Sequence, residues 1–158
     1  MKKLNLILSS LIFILFFTIE TNSSSDFKKI IKGSAKIIDG DTIKVKGEKI
    51  RLFGIDAPEM KQICTNKNSQ LYKCGKEAKI ALEMYIYSEV ICYYNSKDRY
   101  GRILGICFVE ETELNKTMVQ SGNAVAYFKY SKKYINDQEI AKNKNRGLWS
   151  GEFDMPWE

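Results

Sequence analysis

The chain has 158 residues, enough for one domain with a substantial core and too few for two. Hydrophobic residues at 44% and charged residues at 28% are globular proportions, and the formal net charge of +6 suits a polyanionic partner without demanding one. Histidine is absent, which excludes Ser-His and Cys-His nucleophiles, an imidazole base and histidine metal sites. Acid–base chemistry falls to carboxylates, Lys, Tyr or Cys, and a bound metal falls to oxygen ligands.

Met1-Lys2-Lys3, the apolar run Leu4 to Ile19 and the polar stretch Thr21 to Ser25 read as an export signal over residues 1–25. The run is shorter than the roughly 20 residues of a membrane span. An uncleaved anchor through residues 4–19 is the alternative. Both readings put residues 26–158 outside the cytoplasm, secreted or periplasmic, as one folded domain.

Gly33 to Asp39 predicts a strand carrying Ala35, Ile37 and Ile38, and Asp39-Gly40-Asp41 predicts a turn. Thr42 to Lys46 alternates with Ile43 and Val45 inward. Gly47-Glu48 turns the chain into Lys49 to Phe53, with Ile50 and Leu52 on one face and Arg51 on the other. A three-stranded meander follows, ended by Asp56-Ala57-Pro58-Glu59, where proline restricts Ala57. Gly75 to Ser88 is helical by its spacing of Ala78, Leu82 and Tyr85. Val90 to Tyr94 and Ile103 to Val109 form a hairpin around Asp98-Arg99-Tyr100-Gly101. A short helix from Glu113 to Ser121 buries Leu114 and Met118 and stops at Gly122, and a polar helix spans about 134–145 before Gly147. Five strands and three helices in this order suit an α+β, mainly β, fold: a five-stranded barrel of the oligonucleotide-binding (OB) type.

In an oxidising compartment the four cysteines imply two disulfides, with three possible pairings. Cys64 and Cys74 bracket a polar loop, and Cys92 and Cys107 lie opposite each other in the expected hairpin, so local pairing is the economical choice. Each bridge would contribute about 2–3 kcal/mol by restricting the unfolded chain. The spacing lacks any C-x-x-C, which argues against a four-cysteine zinc site.

Asp39, Asp41, Asp56 and Glu59 gather four acids into a short stretch of a basic chain. Asp41 opens a strand and Asp56 closes the next but one, so an antiparallel meander can bring them to one end of the sheet. Such carboxylates repel unless a proton or a cation lies between them, and calcium accepts this kind of oxygen set. Two ordinary acidic turns would look the same on spacing alone. Arg51, unusual at mid-strand, and Arg102, after the Tyr100-Gly101 turn, tip the balance. Guanidinium groups grip phosphate in a bidentate fork, and with a cation and a spare carboxylate they are the parts of a phosphodiester hydrolase.

Ile38-Asp39-Gly40-Asp41-Thr42, the run Arg51 to Glu59, Asp98-Arg99-Tyr100-Gly101-Arg102 and Gly147-Leu148-Trp149-Ser150 together resemble the staphylococcal nuclease family over about residues 33–150. The resemblance implies that Asp41 and Asp56 ligate Ca2+ through side chains and Ala57 through its carbonyl. It implies that Glu59 holds the attacking water, that Arg51 and Arg102 bind the scissile phosphate, that Tyr100 hydrogen-bonds a phosphate and that Tyr127 stacks on a base. The implied activity is endo- and exonucleolytic cleavage of DNA and RNA to 3′-phosphate ends by a monomer, single strands being favoured because unpaired bases reach a stacking platform. Relatives that bind nucleic acid or protein without cutting lose the acids or the arginines, and this chain keeps them. It departs from the family prototype in having Lys129 where a second tyrosine stands two places after Tyr127, with Tyr130 following, and Ala rather than Thr at 57. Lys142, Lys144 and Arg146 read as a solvated helix face, Trp149 and Trp157 as packing residues, and Tyr85, Tyr87, Tyr93 and Tyr94 as core and sheet residues.

Overall fold

A computed structural model describes residues 27–157, so the expected signal or anchor over 1–25 lies outside the described residues. The elements in chain order are β1 (Lys29–Gly33), β2 (Ala35–Ile37), β3 (Thr42–Val45), β4 (Glu48–Leu52), β5 (Ile55–Asp56), β6 (Cys64–Thr65) and β7 (Leu71–Tyr72). They continue with α1 (Cys74–Tyr85), β8 (Val90–Lys97), β9 (Ile103–Val109), β10 (Thr112–Glu113), α2 (Leu114–Gln120), β11 (Val125–Ala126) and α3 (Ile135–Asn143).

The five expected strands are present as β2, β3, β4, β8 and β9. The meander β2-β3-β4 and the hairpin β8-β9 join through a parallel pairing that sets Ile50, Arg51 and Leu52 opposite Ile103, Leu104 and Gly105. A strand not foreseen in the sequence, β1, lines the far side of β8. The sheet order is β1-β8-β9-β4-β3-β2, so β1 and β2 are its two edges, yet only Ser34 separates them in the chain. The sheet must therefore curl until its edges meet, and β1 does contact β3. This curl is the OB-type barrel expected from the element order, with three helices around it.

The core follows from the alternation. Ile43, Val45, Ile50 and Leu52 point inward with Val90, Cys92, Ile103, Cys107 and Val109, and α1 and α2 cover them with Ala78, Leu82, Leu114 and Met118. Helix α1 ends at Tyr85, three residues before the expected Ser88, because the chain must turn into β8 at Val90. Helix α3 begins after Tyr134, whose ring is fully buried and whose hydroxyl donates to Glu113 at 2.5 Å, and ends at Asn143 rather than Asn145. Of the four tyrosines assigned to core and sheet, Tyr87 is exposed and bonds Glu110, while Tyr93 packs between Phe27 and Phe108.

Both local disulfides are formed, Cys64–Cys74 and Cys92–Cys107. The second lies inside the barrel between paired residues of β8 and β9. The first ties the β6-β7 hairpin to the start of α1 and belongs to a smaller apolar cluster with Val125 and Leu148, against which Tyr72, Trp149, Phe153, Met155 and Trp157 pack. Trp149 and Trp157 are thus packing residues as expected.

The turn bearing Asp41 is wedged between two elements. A Cβ placed on Gly40 would lie 2.7 Å from the Ala57 Cβ and 2.8 Å from the Ala78 Cβ, so glycine is needed for the turn to reach both the acidic loop and α1. Gly40→Ala is expected to destabilise the protein by about 1–3 kcal/mol through overpacking. Equilibrium urea unfolding would register this as a lowered midpoint at unchanged slope.

Candidate active site

The carboxylate of Asp41 is almost wholly buried at the start of β3. Its Oδ1 accepts from the Thr42 hydroxyl at 2.9 Å and from Arg51 Nη1 at 2.5 Å, and its Oδ2 accepts from the Ala57 N–H at 2.9 Å. Arg51 stands directly across the ladder from Thr42, and its Nη2 donates to Asp56 Oδ1. Register therefore accounts for the convergence: Asp41 immediately precedes β3, β4 carries Arg51, and β5, pinned by pairing of Asp56 with Val125, brings the second acid round. Burial pushes the Asp41 carboxyl up to about 7 even against the Arg51 charge. Burial also works against the Arg51 charge, but Asp41 and Asp56 outweigh it and hold the guanidinium protonated more firmly than usual.

Arg51 and Asp56 open onto a cavity of about 490 Å³ that also meets Glu59, Tyr100, Arg102 and Tyr127. Six of the residues singled out in the sequence thus share one cavity, while Asp41 and Ala57 lie beneath its wall. Glu59 is exposed, and its carboxylate has no hydrogen-bond partner among the described residues. Its backbone is fixed instead. The Glu59 N–H donates to Gln62 Oε1 at 3.2 Å, and a Cβ on Gly75 would come within 1.9 Å of the Glu59 carbonyl oxygen. The first turn of α1 therefore rests on the backbone of Glu59.

The opposite wall is the β8-β9 turn. Asp98 Oδ1 accepts from the backbone N–H groups of Tyr100 and Arg102, both at 2.9 Å, and Oδ2 accepts from Arg102 Nε at 2.7 Å. Asp98 thus shapes the turn and aims the Arg102 side chain. Arg102 and Arg99 lie over the Tyr100 ring, 5.6 and 4.7 Å from its centroid, and Arg99 donates to the Tyr100 hydroxyl. Asp98 and Arg99 received no role from the sequence. An aspartate two residues before an N–H it can bond, with glycine following, was the available signal.

The third wall is aromatic. Tyr127 and Tyr130 both line the cavity with ring centroids 4.9 Å apart, so Tyr130 stands beside Tyr127 on this wall. Trp157 stacks on Tyr127 at 5.2 Å without lining the cavity and so backs that wall. Lys129 lies over the Trp157 ring instead of facing the cavity. Lys142 pairs with Glu139 and covers Trp149, and Arg146 bonds the Gln120 carbonyl, so these two are more engaged than a merely solvated face.

Among the described residues no group of three or more His, Cys, Asp or Glu side chains is assembled for a metal. The Asp41–Asp56 pair nevertheless fits a hard cation, because two carboxylates already converge on one positive group. Such an ion completes its shell with carbonyls and water.

A family model described as staphylococcal nuclease homologue matches residues 49–151. The chain belongs to the staphylococcal nuclease family. It is 38% identical over 123 residues to the succinoglycan biosynthesis protein ExoI of Rhizobium meliloti (strain 1021), an alignment covering 75% of this chain and 64% of that protein's length. It is 34% identical over 128 residues to an uncharacterised endonuclease of Escherichia coli, covering 77% and 78% of the two chains. It is 28% identical over 142 residues to the thermonuclease of Staphylococcus hyicus, covering 82% and 79%. The span matched by the family model contains every cavity residue named above; Asp41 and Trp157, which do not line the cavity, lie outside it.

The Arg102 and Tyr100 N–H bonds hold the Asp98 carboxyl below its ordinary value of 3.8, despite the opposing effect of burial. A lowered folded-state pKa contributes stability that is complete above 3.8 and lost as acid protonates the group. Asp98→Asn should therefore be less stable than wild type near neutrality, and the difference in urea midpoint should shrink below about pH 4.

Proposed function

We propose that this chain is an exported, calcium-dependent nuclease that hydrolyses phosphodiester bonds of DNA and RNA, preferring single strands and leaving 3′-phosphate ends. The observation that carries this reading is the single cavity shared by two guanidinium groups, a carboxylate with no hydrogen-bond partner among the described residues, a phenol and an aromatic wall, with Asp56 lining it and Asp41 beneath its wall. Nuclease names among the relatives support it. The export part rests on residues 1–25 alone.

Asp41, Asp56 and the Ala57 carbonyl would hold calcium, which would supply positive charge to the phosphate. Arg51 gives one N–H to each carboxylate, and its remaining donors are available to a phosphate oxygen. Arg102, held at Nε by Asp98, keeps its terminal nitrogens for the same phosphate and for the departing 5′-oxygen. Glu59 orients a water and accepts its proton as the oxygen attacks phosphorus. Tyr100 hydrogen-bonds a neighbouring phosphate, and Tyr127 with Tyr130 stacks on a base. Unpaired bases reach that wall and duplex bases do not, which is the reason for the single-strand preference.

Purified protein should degrade single-stranded DNA with calcium present and stop when it is chelated. Glu59→Ala and Arg102→Ala should each lower turnover by about 100-fold or more while circular dichroism and melting stay near wild type. Undiminished cleavage by both variants would refute the assignment. Binding without cleavage by wild type would indicate a non-catalytic OB-type module.

A further inference from the structure

The outer face of the meander carries a second feature that the cavity does not use. Lys36 on β2 stands opposite Lys44 on β3, and Lys44 stands opposite Lys49 on β4. All three are exposed, while Ala35, Val45, Ile37, Ile43 and Ile50 fill the inner face. Like charges directly opposed on adjacent strands are destabilising. Each lysine has no ion-pair partner among the described residues, and the nearby acid Glu48 is taken by Lys97. Nothing in the described structure offsets this repulsion.

The row has a direction. On the far side of β4, Ile50 pairs with Ile103, so Arg102, one residue earlier on that parallel strand, sits beside Lys49 at the same level. Adjacent strands lie roughly 4.8 Å apart. Lys36, Lys44, Lys49 and Arg102 thus form a line of positive charge across the sheet, ending in the cavity wall. The Thr42–Arg51 pair lies two residues along the same face, about 7 Å away at 3.4 Å per residue. A ligand phosphate held at Arg51 and Arg102 would have its neighbours on one side delivered onto the lysines.

We propose that Lys36, Lys44 and Lys49 form a backbone-binding track for a single-stranded polynucleotide, holding the nucleotides that flank the bond in the cavity. The track rests on the nuclease reading for what occupies the cavity. It reads charge and not sequence, since lysines on the outer face of a barrel sheet contact phosphates without base edges. It gives long strands an affinity advantage over dinucleotides, which fill the cavity alone. The ligand class is a polyanionic strand because the charges are in line and continuous with the phosphate-facing arginines.

The test compares wild type with the triple variant Lys36→Gln, Lys44→Gln, Lys49→Gln, none of which touches the cavity. Binding of a fluorescent 15-residue oligothymidylate is measured in chelator over a salt series, and cleavage of a dinucleotide is measured with calcium. The variant should bind the long strand about tenfold more weakly, with the slope of log affinity against log salt reduced by about 2 for three lost contacts. Dinucleotide cleavage should be unchanged, and the melting temperature equal or higher as the repulsion is relieved. An unchanged long-strand affinity and slope would overturn the track while leaving the hydrolase reading standing. An equal loss on the dinucleotide would overturn it too. Lysine-dependent binding of long strands by a wild type that cuts nothing would uphold the track and refute the hydrolase. Loss of binding to phosphatidylglycerol vesicles alone, with oligonucleotide binding intact, would assign the row to a membrane surface and overturn the proposal.

Discussion

The buried carboxylate of Asp41 is the constraint on which the rest of the site depends. An acid removed from water must find donors or give up its charge. Here three donors come from three places: the Thr42 hydroxyl, the Arg51 guanidinium and the Ala57 N–H. Satisfying one side chain thereby fixes the start of β3, the middle of β4 and the loop after β5 relative to one another. Arg51 in turn needs Asp56, so the second acid is brought in by the same requirement. The geometry of the proposed site and the stability of this corner are the same set of contacts.

The Cys64–Cys74 hairpin extends that corner toward the tail. Its closure places Gly75 against the Glu59 carbonyl, and just ahead of it Gln62 accepts from the Glu59 N–H while donating to the Asp154 carbonyl at 2.7 Å. Thr65 exchanges hydrogen bonds with Glu152. The C-terminal segment is thus clipped to the disulfide hairpin before it delivers Trp157 to the back of Tyr127. Two walls of the cavity, the Glu59 backbone and the aromatic face, are supported by one cross-linked strap.

Asn115 plays a comparable part inside the barrel. Its amide donates to the carbonyls of Phe53 and Gly105 and accepts from the Cys107 N–H, all at 3.0 Å. It thereby ties α2 to the junction where β4 gives way to the acidic loop. A buried amide with all its partners present holds that junction in one arrangement. In the sequence it is simply one polar residue in a helix with an apolar stripe.

Local pattern was enough for the five barrel strands β2, β3, β4, β8 and β9, because alternation such as that of Ile43, Val45, Ile50 and Leu52 and the turn residues between them act over a few residues. It was enough for the three helices, to within a few residues at their ends, and for both disulfides, whose partners are near in the chain. The acids and arginines could be singled out as candidates because four acids crowd a short stretch of a basic chain and Arg51 stands mid-strand. What sequence could not supply was β1, whose pairing with β8 joins residues some sixty positions apart. Nor could it reveal that Arg51 bridges the two aspartates, that Asp98 aims Arg102, or that Trp157 backs Tyr127. Those relations depend on closing the barrel and on folding the tail back over the disulfide hairpin. Composition and spacing determined which groups this protein has to work with. Only long-range pairing, settled by burial and hydrogen-bond satisfaction across the whole domain, decided which of them face each other.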